Sequence, residues 1–254
     1  MTNQKFVIAH SDSVPNPQEL ALQASLKLAL FPLVKIDEEA ANFYLFFDEL
    51  GLALQSTAKQ APGSLRVDFE GLTKRVSDSI FQQNLVKAIG ARKGKRPTVV
   101  DATAGLGTDS FLFAAIGCDV LSIEKNPIVF ALLQDGVLRF ARQGALEAEI
   151  TARISLQQAD FLESAKTIDS AQVVYLDPMF PAKNKAAKAK KGMSYLQELI
   201  GSSVDDKDLM EAAYSVATER IVVKRAKNSP FINTTEPSIS FKGSSSRYDV
   251  YLLN

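Results

Sequence analysis

From Thr98 onward the chain alternates short, uninterrupted apolar runs with longer segments of helical period, and this alternation restricts its fold more than any other feature. Residues 98–102, 119–124, 154–157, 173–176, 220–224 and 247–253 are expected to be strands. Residues 109–116, 127–142 and 206–217 are expected to be helices. Strands that are apolar throughout, each followed by a helix, belong to a parallel sheet covered on both faces, so the class is α/β. The first 70 residues lack the alternation and predict a small α+β unit. Its expected parts are a strand at 6–9, a helix at 17–30, a hairpin of 43–47 with 50–55, and a further strand at 64–69. A helical period returns over 77–89 and a basic loop follows at 90–97. The expected division is therefore 1–70 and 71–254.

The 254 residues are long enough to bury a substantial core. The single cysteine, Cys118, excludes an internal disulfide and a multi-cysteine metal site, and implies a reducing compartment. The stretch 6–9 is too short for the apolar part of a secretory signal, and Lys27 and Pro32 interrupt the longest apolar stretch, 21–36. A cytoplasmic protein without membrane contact is the expectation. Formal net charge is zero, but residues 1–70 carry 5 basic against 9 acidic side chains, leaving 24 against 20 for the rest. Five cations without an acid fall in 87–96, five in 183–191 and four in 220–227. Such patches, more than overall charge, decide what a polyanion feels.

In a parallel sheet of this kind ligands bind beyond the carboxyl ends of the strands, which draws attention to Asp101, Glu124, the stretch 157–161 and Asp177. The first strand runs into "VVDATAGLGTDSF", where Gly105 and Gly107 allow a tight turn and close approach of a ligand. The turn opens a helix whose free N–H groups favour a polar or anionic group. A dinucleotide-binding turn would want a small third residue where this chain has Ser110, and has no need of Asp101. Asp101 can instead take a ligand ammonium, and Glu124, ending the second strand, can accept from ribose hydroxyls. A ligand with a ribose and an amino-acid end but no pyrophosphate is S-adenosylmethionine. Asp160 could then accept from the adenine amino group, and Phe161 could stack on the ring.

After the fourth strand, "DPMFP" places Asp177 toward that ligand. An amino group on a purine is a weak nucleophile because its lone pair is delocalised. Hydrogen bonds from its protons to Asp177 would restore density on nitrogen. Pro178 fixes the turn, and Phe180 offers a face on which a splayed-out base can stack. Such chemistry requires neither a metal nor a covalent intermediate.

The set "VVDATAGLGTD", "IEKNP", "VVYLDPMFP" with lysines following, "ERIVVKR" and "KGSSSRYDVYLL" resembles the RsmJ family of bacterial small-subunit ribosomal RNA methyltransferases over roughly residues 65–254. The resemblance implies a class I methyltransferase fold: a Rossmann-like sheet, mostly parallel with an antiparallel edge strand, plus the small N-terminal unit. It also implies methylation of the exocyclic N2 of a guanine near the 3′ end of 16S rRNA, with S-adenosylmethionine as cofactor. The family's cofactor contacts fall on Thr108 and Asp109, Glu124 and Lys125, Asp160 and Phe161, and Asp177. Lys183, Lys185, Lys188, Lys190 and Lys191 would line the mouth of the site and meet RNA phosphates. Lys224, Arg225, Lys227 and the 90–97 loop are weaker candidates for that surface. The chain departs from the family after "VDF", where it keeps Lys74 and Arg75 but lacks the glycines of the loop "KFGGGRGE".

Other residues carry less. Cys118 precedes the second strand, away from the carboxyl edge, and reads as a buried apolar side chain. His10, the one histidine, lies in a polar N-terminal segment and is not expected to serve as a general base. Phe43, Tyr44, Phe46 and Phe47 read as alternating burial in a hairpin. Alternatives to guanine methylation are transfer to another exocyclic or amide nitrogen, as in DNA adenine or protein glutamine, and a non-catalytic RNA-binding assembly factor.

Overall fold

The computed structural model describes residues 5–10, 15–36, 41–59, 61, 63–74, 76, 78–178 and 205–253. Two sheets carry the fold. The smaller is built from β1 (Phe6–His10), β2 (Ala29–Pro32), β3 (Phe43–Asp48) and β4 (Gly51–Ser56) in the order β2-β1-β3-β4. β1 runs parallel to both β2 and β3, while β3 and β4 form the expected antiparallel hairpin.

The larger sheet contains β5 (Val99–Asp101), β6 (Val120–Glu124), β7 (Ile154–Gln158), β8 (Ala171–Leu176), β9 (Ala217–Ala226), β10 (Ile239–Lys242) and β11 (Ser246–Leu252), ordered β10-β11-β9-β8-β5-β6-β7. β5 through β9 pair in parallel, and β11 enters antiparallel to β9. The chain moves outward from β5 to β6 and β7, then returns across β5 to β8. That reversal opens a crevice at the carboxyl ends of β5 and β8, where α/β sheets bind ligands.

Helices α4 (Thr108–Ala115), α5 (Pro127–Ala141), α6 (Ala145–Thr151) and α3 (Asn84–Ala88) lie on one side, and α8 (Asp206–Val216) packs on β8 and β9 from the other. The strands alternate between the two faces. Val99, Val173, Tyr175 and Val222 join one buried cluster, whereas Val100, Val174, Leu176, Ile221 and Val223 join a second with Leu209, Met210 and Ala213 of α8. Period-2 burial on a sheet covered on both sides is why these runs read as continuously apolar. α5 starts cleanly because Asn126 accepts from the N–H groups of Ile128 and Val129 and Pro127 occupies the first turn. Among the described residues no helix is long and apolar enough to cross a membrane.

Several boundaries differ from those expected. The first helix, α1 (Pro17–Leu26), stops short because Lys27 adopts a left-handed conformation (φ 55°), and the apolar residues beyond it form β2. Residues 64–69 make one bridge, Leu54 to Leu65, and no strand. The period over 77–89 divides into a 3-10 turn and α3. The final strand, β11, is antiparallel as expected of an edge strand, but it lies one place in from the edge, because β10, a short strand in a Ser-, Thr- and Pro-rich stretch, covers it as the outermost element. The small sheet falls within residues 1–70 and the large sheet within 71–254, and one hydrophobic cluster runs through both.

Candidate functional site

β5 ends at Asp101, and the chain turns at once through two glycines in left-handed conformation, Gly105 (φ +56°) and Gly107 (φ +74°), into α4. Their requirements differ. A Cβ on Gly107 would stand 2.4 Å from Leu133 Cδ1, so this glycine lets the turn sit against α5. A Cβ on Gly105 would have only Thr103 O near it, at 4.0 Å, so the space over Gly105 is open for a ligand.

Glu124, at the tip of β6, lies beside that space. Its Oε2 accepts from Gly105 N (2.9 Å) and its Oε1 from Asn126 N (2.7 Å), so the carboxylate holds both the glycine turn and the start of α5. With the Lys125 N–H as a third backbone donor, one of the carboxylate's four acceptor positions stays for a hydroxyl. Burial raises its pKa above the usual carboxylate range, with the three backbone N–H groups of Asn126, Gly105 and Lys125 opposing.

Asp101 is 2% exposed and turned inward. Oδ2 accepts from Ser110 Oγ, which in turn accepts from Ser122 Oγ (2.9 Å), and Oδ1 accepts from Thr103 N (3.3 Å). The carboxyl expected to meet a ligand ammonium instead shapes the turn from beneath. Ser110, which argued in the sequence against a dinucleotide turn, is the hydroxyl this acid needs. Burial pushes the Asp101 pKa up to about 7; the Ser110 bond opposes the shift and the Asp109 charge adds to it.

Lys125 and Asp160, both expected near the ligand, pair with each other at 2.5 Å. Asp160 also caps α7 (Phe161–Ser164) through Leu162 N. Burial would raise its pKa, but Lys125 and the Leu162 N–H outweigh this and hold it low. Phe161 is 3% exposed and packs within the second core cluster, so its ring does not stand open in the crevice. Thr108 is exposed on the first turn of α4.

The tip of β8 meets the glycine turn directly: Asp177 N donates to Thr103 Oγ1 at 2.7 Å. The acid expected at the reacting group is thereby fixed beside the loop expected to hold the cofactor. Lys224 of β9 forms ion pairs with Asp177 Oδ2 and Asp109 Oδ2, each at 2.8 Å, and the Tyr175 hydroxyl donates to Asp109 Oδ2 at 2.6 Å. Burial works against the Lys224 charge, yet Asp177 and Asp109 more than offset it and raise the pKa. Asp177 is raised chiefly by loss of water and further by Asp109, with Lys224 as the opposing influence. Burial and the same two carboxylates lift the Tyr175 pKa, so its hydroxyl keeps the proton it donates.

Sequence reading missed Tyr175, Thr103 and Ser122, and counted Lys224 only as a weak RNA contact. The available signal was "IVVKR": a lysine inside an apolar strand needs a buried partner. The 90–97 loop leads into the start of β5 and so lies at the amino edge of the sheet, away from the crevice. Arg225 is buried, with Nε donating to Pro230 O, and is not a surface cation. Cys118 is fully buried with its pKa pushed up to about 11 by burial, which rules out a thiolate nucleophile. Pro178 follows Asp177, half-buried; Phe180, Lys183, Lys185, Lys188, Lys190 and Lys191 lie outside the described residues.

The model of the SAM_MT family, SAM-dependent methyltransferases, matches residues 27–253. The chain is 42% identical over 239 residues to ribosomal RNA small subunit methyltransferase J of Pseudomonas syringae pv. syringae, covering 92% of this chain and 87% of that one. It is 43% identical over 216 residues to the protein of the same name from Stutzerimonas stutzeri, covering 83% of each. A crystal structure of a SAM-dependent methyltransferase from Neisseria gonorrhoeae superposes with a TM-score of 0.71 at 29% identity, covering 98% of this chain and 96% of that one.

Proposed function

The chain belongs to the SAM-dependent methyltransferase family that includes ribosomal RNA small subunit methyltransferase J, and we propose that it methylates the exocyclic N2 of a guanine in 16S rRNA of the small ribosomal subunit, in the cytoplasm. The observation that carries this reading is the 2.7 Å bond from Asp177 N to Thr103 Oγ1, which joins the acid of "DPMFP" to the glycine turn.

S-adenosylmethionine supplies an electrophilic methyl group on sulfur. The residues present fit it: open space over Gly105, the Glu124 carboxylate beside that space with an acceptor position to spare for a ribose hydroxyl, and the Asp160 and Lys125 pair at the adjoining strand end. Asp109, Thr108 and Gly107 form the first turn of α4 against the same ligand.

Asp177 acts on the acceptor base. One carboxylate oxygen is engaged by Lys224, and the other, which has no side-chain partner among the described residues, would accept a hydrogen bond from the guanine amino group. That bond draws proton density away from nitrogen and aims its lone pair at the methyl group. The accepting nitrogen would gain positive charge in the transfer, and the Asp177 carboxylate would favour that charge and then take up the proton the nitrogen loses. Lys224, held by Asp109, fixes the direction in which Asp177 points. Alignment supplies most of the acceleration in such a transfer. Phe180 would stack on the base, and the five lysines from Lys183 to Lys191 would meet backbone phosphates.

Purified protein incubated with labelled cofactor and small subunits lacking the modification should label 16S rRNA, and nucleoside mass spectrometry should identify N2-methylguanosine. Label on another nitrogen corrects the base; no label in 16S rRNA removes the substrate. Asp177→Ala should keep its fold while transfer falls by roughly 100-fold or more.

A further inference from the structure

Arg220 enters β9 at the amino edge of the large sheet, the end opposite the crevice. Its guanidinium lies against Gly90: a Cβ there would stand 2.7 Å from Arg220 Cζ, and the φ of +74° favours glycine. Nη1 donates to Ala88 O at 3.3 Å, but Nε is buried with no hydrogen-bond partner among the described residues. A buried donor on a charged group is rarely left without an acceptor. Beside it opens a cavity of about 380 Å³ lined by Phe81, Lys87, Arg92, Lys95, Arg220 and Phe241. Glu219 neutralises Lys95 at 2.7 Å and is itself held by Gln172. Lys87 and Arg92 are exposed and have no acidic partner among the described residues. Lys87 and Arg92 therefore add two uncompensated charges to Arg220, which Glu219 partly offsets, beside Phe241 and Phe81, one face of which Arg96 covers.

We propose that this cavity is a second nucleic-acid site, in which a backbone phosphate of the RNA substrate binds Arg220, Lys87 and Arg92 while an adjoining nucleoside lies against Phe81 and Phe241. The proposal rests on the RNA-methylating reading above. Arg220 lines the cavity together with the exposed Lys87 and Arg92, a cationic cluster that suits phosphate oxygens, and flat rings beside cations suit a nucleotide better than an acidic peptide. The strand β5 connects the two places: the 90–97 loop at its start borders the cavity and Asp101 at its end borders the crevice. An RNA held at both edges has its register set by backbone contacts, leaving the base at the crevice to be read separately.

The double variant Lys87→Glu/Arg92→Glu changes exposed side chains and should fold normally. Its affinity for a 16S rRNA fragment should fall by about 30-fold at 0.1 M salt, and its log–log salt slope by about 2, while cofactor affinity by calorimetry stays unchanged. Unaltered RNA affinity and slope, with the parent protein still methylating small subunits, overturn the second site alone. Failure of the parent protein to methylate any small-subunit RNA overturns the functional reading as well. Inorganic phosphate titrated alone separates the sources. If phosphate shifts the Arg220 Nε–H resonance while the RNA salt slope is indifferent to the double variant, the cavity binds a free anion and the RNA proposal falls. Loss of polyglutamate binding with RNA binding intact overturns it equally.

Discussion

A carboxylate sealed from water needs partners for its charge, and Asp101 and Asp177 meet that need in different ways. Asp101 has two hydroxyls in series and one backbone N–H, none of them charged, and burial lifts its pKa to about 7. In the unfolded chain the same acid titrates near 4. Between about pH 4 and pH 7 the unfolded state has released this proton and the folded state retains it, so stability is lost as pH rises through that window. Asp101→Asn cannot ionise. Denaturant melts of the two proteins from pH 4.5 to 8 should diverge in favour of the variant by an amount on the order of 3 kcal/mol, and parallel curves would contradict the assignment. Asp177 instead has Lys224, whose positive charge is the main influence opposing its raised pKa. Removing that charge in Lys224→Met should raise the Asp177 pKa further, moving the acid limb of the kcat/KM profile to higher pH. Activity at pH 7 should drop roughly 10- to 100-fold with cofactor affinity little changed, and Lys224→Arg should recover part of it. An unmoved pH profile would separate Lys224 from the chemistry.

Elements were legible in the sequence where one local rule decided them, and illegible where a contact between distant segments did. β5, β6 and β8 are apolar on both faces and end in acids, so the parallel-sheet rule located Asp101, Glu124 and Asp177 without coordinates. Lys224 gained its meaning only from the pairing of β8 with β9, which aligns Leu176 with Val223 and so brings Asp177 to Lys224. Tyr175 meets Asp109 across 66 positions. β2 was hidden because the apolar period of α1 runs past the Lys27 stop, and 64–69 looked like a strand because its apolar residues serve tertiary packing. Gly136 in α5 shows the same contest between local and distant effects. Alanine at a helical glycine ordinarily gains about 1 kcal/mol. Here a Cβ would stand 2.3 Å from Val67 Cγ1 and 2.6 Å from Val67 Cβ, too close to the main chain for a rotamer change to relieve it. Overpacking of this kind costs about 1–3 kcal/mol. Gly136→Ala should therefore destabilise the protein, and adding Val67→Ala should return part of the loss in a double-mutant cycle of denaturant melts. An additive cycle would show that the two side chains do not compete for the space.

The same contact makes a claim about the whole molecule. α5 is the element on which both sheets converge: Asp135 Oδ2 accepts from Leu52 N of β4 and from Arg139 Nε, and Arg139 Nη2 donates to Val67 O. Phe69 stacks on Phe111 of α4 with ring centres 4.7 Å apart, and Phe140 of α5 meets both rings edge-on. Ile8, Phe43, Leu45 and Leu54 of the small sheet belong to the same buried cluster as Leu132, Val137, Tyr175 and Val222. Opening the β3–β4 hairpin would thus uncover the outer side of α5, whose inner side supports the glycine turn through Leu133. Chains of this length can unfold through intermediates, so cooperativity between the sheets is a measurable property. In native-state hydrogen exchange with rising denaturant, the amides of Leu45 and Leu54 should merge into one isotherm with those of Val100 and Val174. Cofactor binding at the crevice supplies a second handle: ligand at 100 times its Kd adds about 2.7 kcal/mol to the opening of every segment that must unfold with the site. The hairpin amides, on the far side of α5, should gain that full increment. Protection of the hairpin that ignores the cofactor would mean that the small sheet opens by itself and that α5 does not couple the two.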